Sequence, residues 1–238
     1  MACSIEMFNQ NVAFIVGCSR SGTTWLQYLL SELGGVHILG EANIGAYIRE
    51  GCLSRITNML KSNTYGDVFL DKTPSNVYDL PNIRKWFPRS RFVFMLRDPR
   101  AVITSIMYAN WAKRRAGFSL DTAIRLWKRA GEEFIKAMPL LGNSIIVIQY
   151  EHLHCNTESV LRRVSQHFNI AFNNIDITRA VQNSTIVRMS KKTGGIKDRG
   201  FFRKGSLDSW KTDLSTSDVD KIIRSTRVLY EKLLSIEN

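Results

Sequence analysis

FIVGCSRSGTTWLQYLL, from Phe14 to Leu30, is the stretch whose reading decides the fold. Val12 to Val16 form a short apolar run of strand length. Gly17 to Gly22 make a tight loop, and a helix opens at Thr23 or Thr24. Trp25, Leu26, Leu29, Leu30 and Leu33 share one face of that helix, and Gly34-Gly35 follows as a stop. A strand feeding a glycine-bounded loop that leads into a helix is an anion site. The first-turn N–H groups have no intrahelical acceptor, and the helix dipole adds positive potential there. The spacing from Gly17 to Gly22 imitates the nucleoside-triphosphate loop GxxxxGK[ST], but Thr23 fills the lysine position and the cation stands inside the loop as Arg20. The bland alternative is a glycine turn onto a core helix, with Arg20 solvated.

Outward from this stretch, apolar strand runs alternate with helical patterns. Val36–Leu39 leads to Gly40-Glu41, Val68–Leu70 to Asp71-Lys72-Thr73-Pro74, Arg91–Leu96 to Arg97-Asp98-Pro99, and Ser144–Gln149 to Tyr150. Near-continuous apolar runs suit parallel strands buried on both faces. The expected fold is α/β, with a central, mainly parallel sheet flanked by helices and ligands at the strand C-terminal ends. Asp98 is a plausible N-cap with Pro99 in the first helical position. The pattern from Leu120 to Met138 is expected to stop at Pro139, Leu161–Phe168 lies in another helix, and the last helix carries Val219 to Leu234. With 238 residues and no composition break, residues 1–238 are expected to form one domain.

The net charge of +12 favours anionic ligands without naming them. The basic residues are dispersed, with short clusters such as Lys113-Arg114-Arg115, and no zinc-finger, RNP or basic-zipper pattern is present, so nucleic acid is not the expected partner. No apolar run approaches the roughly 20 residues that cross a bilayer. MACSIEMFNQ has no signal-peptide pattern. Cys3, Cys18, Cys52 and Cys155 are scattered, without metal-ligand spacing, and read as free thiols of a reducing cytoplasm.

The string CSRSGTTW resembles the 5′-phosphosulfate loop of the sulfotransferases, which use 3′-phosphoadenosine 5′-phosphosulfate (PAPS) as donor. Arg20, Ser21, Gly22, Thr23 and Thr24 match the Arg-Ser-Gly-Thr-Thr form of that loop. In RFVFMLRDPRAVITSI, Arg97 leaves a strand end and Ser105 lies eight residues on, a guanidinium and a hydroxyl suited to a phosphate. The alternative is that Arg97 pairs with Asp98 or another carboxylate and that Ser105 is an ordinary helix serine. The string is similar to the family's 3′-phosphate motif. FFRKGSLDSWK, from Phe201 to Lys211, looks like the family's C-terminal Arg-Lys-Gly segment, which implies that Arg203, Lys204 and Gly205 close over the same phosphate. Read alone, those three residues are a solvated basic loop. The resemblance also implies that Trp25 and Tyr150 contact the adenine and that Ser184 lies in the nucleotide pocket, although Ile186 replaces the family's phenylalanine.

The implied activity is metal-independent, in-line sulfuryl transfer from PAPS to a hydroxyl or amine, leaving 3′-phosphoadenosine 5′-phosphate (PAP). Cytosolic members place Lys-Thr-His after the third strand. Here the residues are Lys72-Thr73-Pro74, and His37, His152, His154 and His167 occupy no matching position. Glu41 resembles the glutamate that tyrosylprotein and some bacterial members use as base, and burial at a strand end would make it a better one. Its plain role would be a charge at a helix N-terminus. Lys72 and Arg20 are the candidate cations for the bridging oxygen and the transferring group. A nucleotide-dependent kinase, with Asp71 as its metal ligand, and a non-catalytic nucleotide or polyanion binder are the competing readings. Tyr47, Tyr78, Tyr108, Trp111 and Phe118 are expected to line the acceptor site, for a small molecule, peptide or glycan. Lys211 to Thr216, with Asp220, is a degenerate echo of a family dimer motif and admits a homodimer.

Overall fold

The computed structural model describes residues 11–60, 68–184 and 207–236. Five parallel strands form one sheet in the order β2-β3-β1-β4-β5, with β1 Val12–Gly17, β2 Val36–Gly40, β3 Val68–Asp71, β4 Arg91–Leu96 and β5 Ile145–Gln149. Between β1 and β2 lies α1 (Thr23–Ser31). Helices α2 (Ile44–Arg49) and α3 (Leu53–Leu60) follow β2. A 3-10 helix (Pro74–Asp79) and α4 (Leu80–Trp86) follow β3. From β4 the chain passes through α5 (Pro99–Met107), α6 (Asn110–Lys113) and α7 (Leu120–Leu141). After β5 come α8 (Tyr150–Cys155), α9 (Thr157–Phe168) and α10 (Asn174–Asn183). The last described helices are α11 (Trp210–Asp213) and α12 (Thr216–Leu234).

Alternation along the strands builds a core on each face of the sheet. Val12, Phe14 and Val16 join Phe92, Phe94 and Leu96 in a cluster covered by the 3-10 helix, α4, α5, α7 and α12. Ala13 and Ile15 join Val93 and Met95 in a second cluster under α1, α9 and α10. Every residue of β1 is buried, as a strand central to a doubly covered sheet requires. β1 lies between β3 and β4: the chain leaves β1 for the edge strand β2, returns to β3 beside β1, and then crosses to β4 and β5 on the other side. That reversal opens a crevice at the carboxyl end of β1.

Helix boundaries follow local chemistry. The Asp98 side chain accepts from the Arg100 N–H at 2.8 Å with Pro99 in the first turn, as the sequence suggests. Asn173 and Asp176 close a reciprocal capping box at α10. The expected stop at Pro139 is corrected: α7 continues through it to Leu141. Pro139 is exposed in the last turn, and burial of Leu141 in the core holds that turn despite the lost N–H. Among the described residues no helix is long and apolar enough to cross a membrane.

Candidate active site

The register brings the polar strings to one edge of the sheet. Gly17 pairs with Met95, Leu96 with Gln149, and Gly40 with Asp71, so Glu41, Lys72, Arg97 and Tyr150 all leave the sheet at its carboxyl end, the end that also carries the Gly17–Gly22 loop.

Backbone geometry shapes that loop. Gly17 has φ 144°, and a Cβ there would meet the Met95 carbonyl oxygen at 2.7 Å. Gly22 caps α1 in the left-handed region at φ 92°, and a Cβ on it would overlap the Tyr150 ring. Arg20 also takes a positive φ, 76°, an uncommon conformation for a residue with a side chain. The Ser21 N–H donates to the Cys18 carbonyl at 3.2 Å, and the Gly22 carbonyl accepts from Trp25 N at 3.0 Å. Thr23 and Thr24 open the first turn of α1, where N–H groups have no intrahelical acceptor.

Around the loop, side chains distant in sequence form one connected group. Arg20 Nε donates to Ser105 Oγ at 3.0 Å, and Arg97 donates to the Arg20 carbonyl at 3.3 Å. The Arg97 guanidinium lies 3.9 Å from the centroid of the Tyr150 ring, a cation–π contact. Tyr150 meets Trp25 edge-on at 5.7 Å, and Trp25 Nε1 donates to the Ser184 carbonyl at 3.0 Å. Arg97 therefore faces a ring and the loop, while its neighbour Asp98 pairs with Arg100 instead. Cations, first-turn N–H groups and two aromatic rings gathered around one loop supply what the phosphates and the base of a nucleotide require.

Glu41 and Lys72 form a second group. Lys72 Nζ donates to Glu41 Oε1 at 2.6 Å. Lys72 is buried, with 6% of its side chain exposed, but the Glu41 side chain is 56% exposed. The expectation of a buried Glu41 is corrected: β2 is the partly exposed edge strand, and Glu41 follows it outward. Glu41 also lies outside α2, whose N-cap is Asn43. Asp71, the metal ligand the kinase reading needs, is completely buried and accepts hydrogen bonds from Thr73 Oγ1, Asn76 Nδ2 and the Ile44 N–H. Burial pushes the Asp71 carboxyl upward, and these hydrogen bonds oppose the rise. Among the described residues no group of three or more His, Cys, Asp or Glu is placed to hold a metal ion.

Two residues that the sequence analysis passed over belong to the site's frame. Glu151 Oε1 accepts from the Asp98 N–H at 3.1 Å, tying the start of α8 to the turn that carries Arg97; burial pushes this carboxyl upward. Arg100 pairs with Asp98 and lies 4.1 Å from the Trp210 ring centroid. Their signals, a carboxylate directly after Tyr150 and a second arginine in Arg97-Asp98-Pro99-Arg100, look like surface charge without the fold. Burial drives the Cys18 thiol up to about 12, so it is no nucleophile.

The expected acceptor aromatics are dispersed among cations. Arg55 lies over Tyr47, Arg129 over Tyr78, and Lys113 beside the exposed Tyr108, while exposed Trp111 meets Phe118 edge-on at 5.5 Å. Arg203, Lys204 and Gly205 lie outside the described residues.

A doubly covered parallel sheet with a glycine-bounded loop at its reversal point, flanked by arginines and rings, defines a P-loop-like, nucleotide-binding class of α/β protein. The profile of the sulfotransferase family matches residues 42–174, more than half of the sequence, and the chain belongs to that family. Mouse sulfotransferase SULT7A1, solved in complex with PAP, superposes with a TM-score of 0.71 at 15% identity, covering 98% of this chain and 93% of that one. The sulfotransferase domain of the curacin biosynthetic pathway gives 0.65 at 17% identity, covering 91% and 97%. In sequence, a Caenorhabditis briggsae protein named as a protein-tyrosine sulfotransferase is 23% identical over 189 residues, 68% of this chain and 67% of its own length.

Proposed function

We propose that the protein transfers a sulfuryl group from PAPS to a hydroxyl or amine of a small-molecule, peptide or glycan acceptor, without a metal, and that residues 1–238 act as one domain. The observation that carries this reading is the connected group Arg20–Ser105 and Arg97–Tyr150–Trp25 at the carboxyl end of β1, β4 and β5. In this reading Arg20, Ser21, Gly22, Thr23 and Thr24 hold the 5′-phosphosulfate through backbone N–H groups, hydroxyls and one guanidinium. Arg97 and Ser105, together with Arg203, Lys204 and Gly205, hold the 3′-phosphate. Trp25, Tyr150 and Ser184 surround the adenine.

The donor supplies an electrophilic sulfur with an anionic leaving group. Glu41, the more exposed partner of its ion pair, takes the acceptor proton; Lys72, buried beside it, supplies positive charge to the bridging oxygen, and Arg20 to the transferring group. Such catalysis works chiefly by positioning and charge neutralisation. The free thiols Cys18, Cys52 and Cys155 support a reducing, cytoplasmic setting.

Incubation with radiolabelled PAPS and an acceptor library, with EDTA and with magnesium, tests the proposal. Label transfer that survives EDTA is the expected result. Activity that requires magnesium and a nucleoside triphosphate would replace this reading with the kinase one.

A further inference from the structure

We propose that Thr73, Asp71 and Asn76 are positioning residues whose side chains fix the spacing of Glu41 and Lys72; the inference rests on the reading of those two residues as base and cation. Three consecutive backbone N–H groups just beyond Glu41 are each taken by a side chain from the end of β3 or the residues that follow it. The Asn43 N–H donates to Thr73 Oγ1 at 3.0 Å, the Ile44 N–H to Asp71 Oδ2 at 3.2 Å, and the Gly45 N–H to Asn76 Oδ1 at 3.1 Å. The three acceptors are themselves joined, because Thr73 Oγ1 and Asn76 Nδ2 both donate to the Asp71 carboxylate. On the other side of Glu41, the Gly40 carbonyl accepts from the Lys72 N–H at 2.9 Å.

Glu41 is therefore held from both directions, and every pin ends on Lys72 or one of its near neighbours. Two long side chains have many rotamers, and a fixed 2.6 Å contact between their tips requires fixed backbones beneath them. The geometry around the bracket agrees. Asn43 sits in the left-handed region at φ 55°, and a Cβ on Gly45 would fall 2.7 Å from Asp79 Cβ and 2.9 Å from Asn76 Oδ1, so the loop packs closely enough on the bracket that only glycine fits there. Asp71, Thr73 and Asn76 are all buried, so they serve the loop rather than solvent. A buried carboxylate whose oxygens are committed to this bracket is a brace, not a metal ligand.

Thr73→Val keeps the shape of the side chain and removes both of its hydrogen bonds; Thr73→Ser keeps them. The expected result for Thr73→Val is a fall in kcat of roughly ten- to a hundred-fold, the cost of misplacing reacting groups by about an ångström, with donor KM within about two-fold of wild type. In a crystal structure of the variant, the Glu41–Lys72 contact should be lengthened. Thr73→Ser should restore both. Asn76→Ala, which releases the Gly45 N–H and removes one of the two side-chain donors to Asp71, carries the same expectation if Thr73→Val does not fold. A folded variant that keeps the ion pair in place, or that keeps wild-type kcat, overturns the proposal, as does one that loses donor affinity in step with kcat. If the wild-type protein transfers no sulfuryl group, the functional reading fails, and the crystallographic separation alone still decides the bracket.

Discussion

At the scale of single residues, Gly22 and Glu41 bear most directly on chemistry. Gly22 combines a left-handed φ with close approach of the Tyr150 ring, which in turn faces Arg97. Gly22→Ala must displace that ring, so PAP affinity should fall by at least about tenfold, measured by calorimetric titration. An unchanged affinity would separate the ring from the nucleotide site. Glu41→Gln keeps the size of the side chain and one acceptor oxygen toward Lys72 while removing basicity. Single-turnover rates at saturating donor should fall by roughly 10²–10⁴-fold with donor affinity little changed. A wild-type rate would remove Glu41 from the mechanism.

At the scale of elements, α7 offers a test of helix energetics. Pro139 lies exposed in its last turn, where the ring removes an N–H from the ladder. Pro139→Ala should raise stability by about 1 kcal/mol in urea unfolding, part of the gain in the helix being offset by a freer unfolded chain. Proline also shows where sequence reading stops. Periodicity and breaker residues place the strands of the sheet, most clearly Val12–Gly17 and Arg91–Leu96, whose near-continuous apolar runs suit burial on both faces. The same reasoning ends α7 too early, because the pull of Leu141 into the core is tertiary and leaves no local mark. The site divides in the same way. Arg20, Arg97, Ser105 and Tyr150 are recognisable from short strings, yet the Arg20–Ser105 contact joins residues 85 apart and exists only in the folded sheet. The exposure of Glu41 follows from the edge position of β2, and strand order is not written in any one strand. Nor does sequence spacing reveal that Asp71 turns inward to the Ile44 N–H.

At the scale of the whole molecule, charge and burial set the response to conditions. With a net charge of +12, the protein should bind an anionic nucleotide less tightly as salt rises, and a titration between 0.05 and 0.5 M salt (about 14 to 4 Å of screening length) should show it. His167 couples the fold to pH. Burial is the main force lowering its affinity for a proton, with the charges of Arg91 and Arg163 adding to it and hydrogen bonds to the Phe92 carbonyl and the Ser144 backbone opposing it. The unfolded chain takes up this proton near the ordinary histidine value of 6.5 while the folded chain does not, so stability falls as pH drops below 6.5 toward the lowered folded value. Urea unfolding at pH 7.5 and 5.5 should show a larger loss for the wild type than for His167→Gln. The central claim, that this fold holds a 3′-phosphorylated adenine nucleotide, is tested most directly by calorimetric titration with PAP and with adenosine 5′-phosphate, which lacks the 3′-phosphate. Loss of that phosphate strands the cations assigned to it, so PAP should bind at least about a hundredfold more tightly. Equal affinities for the two nucleotides would contradict the account.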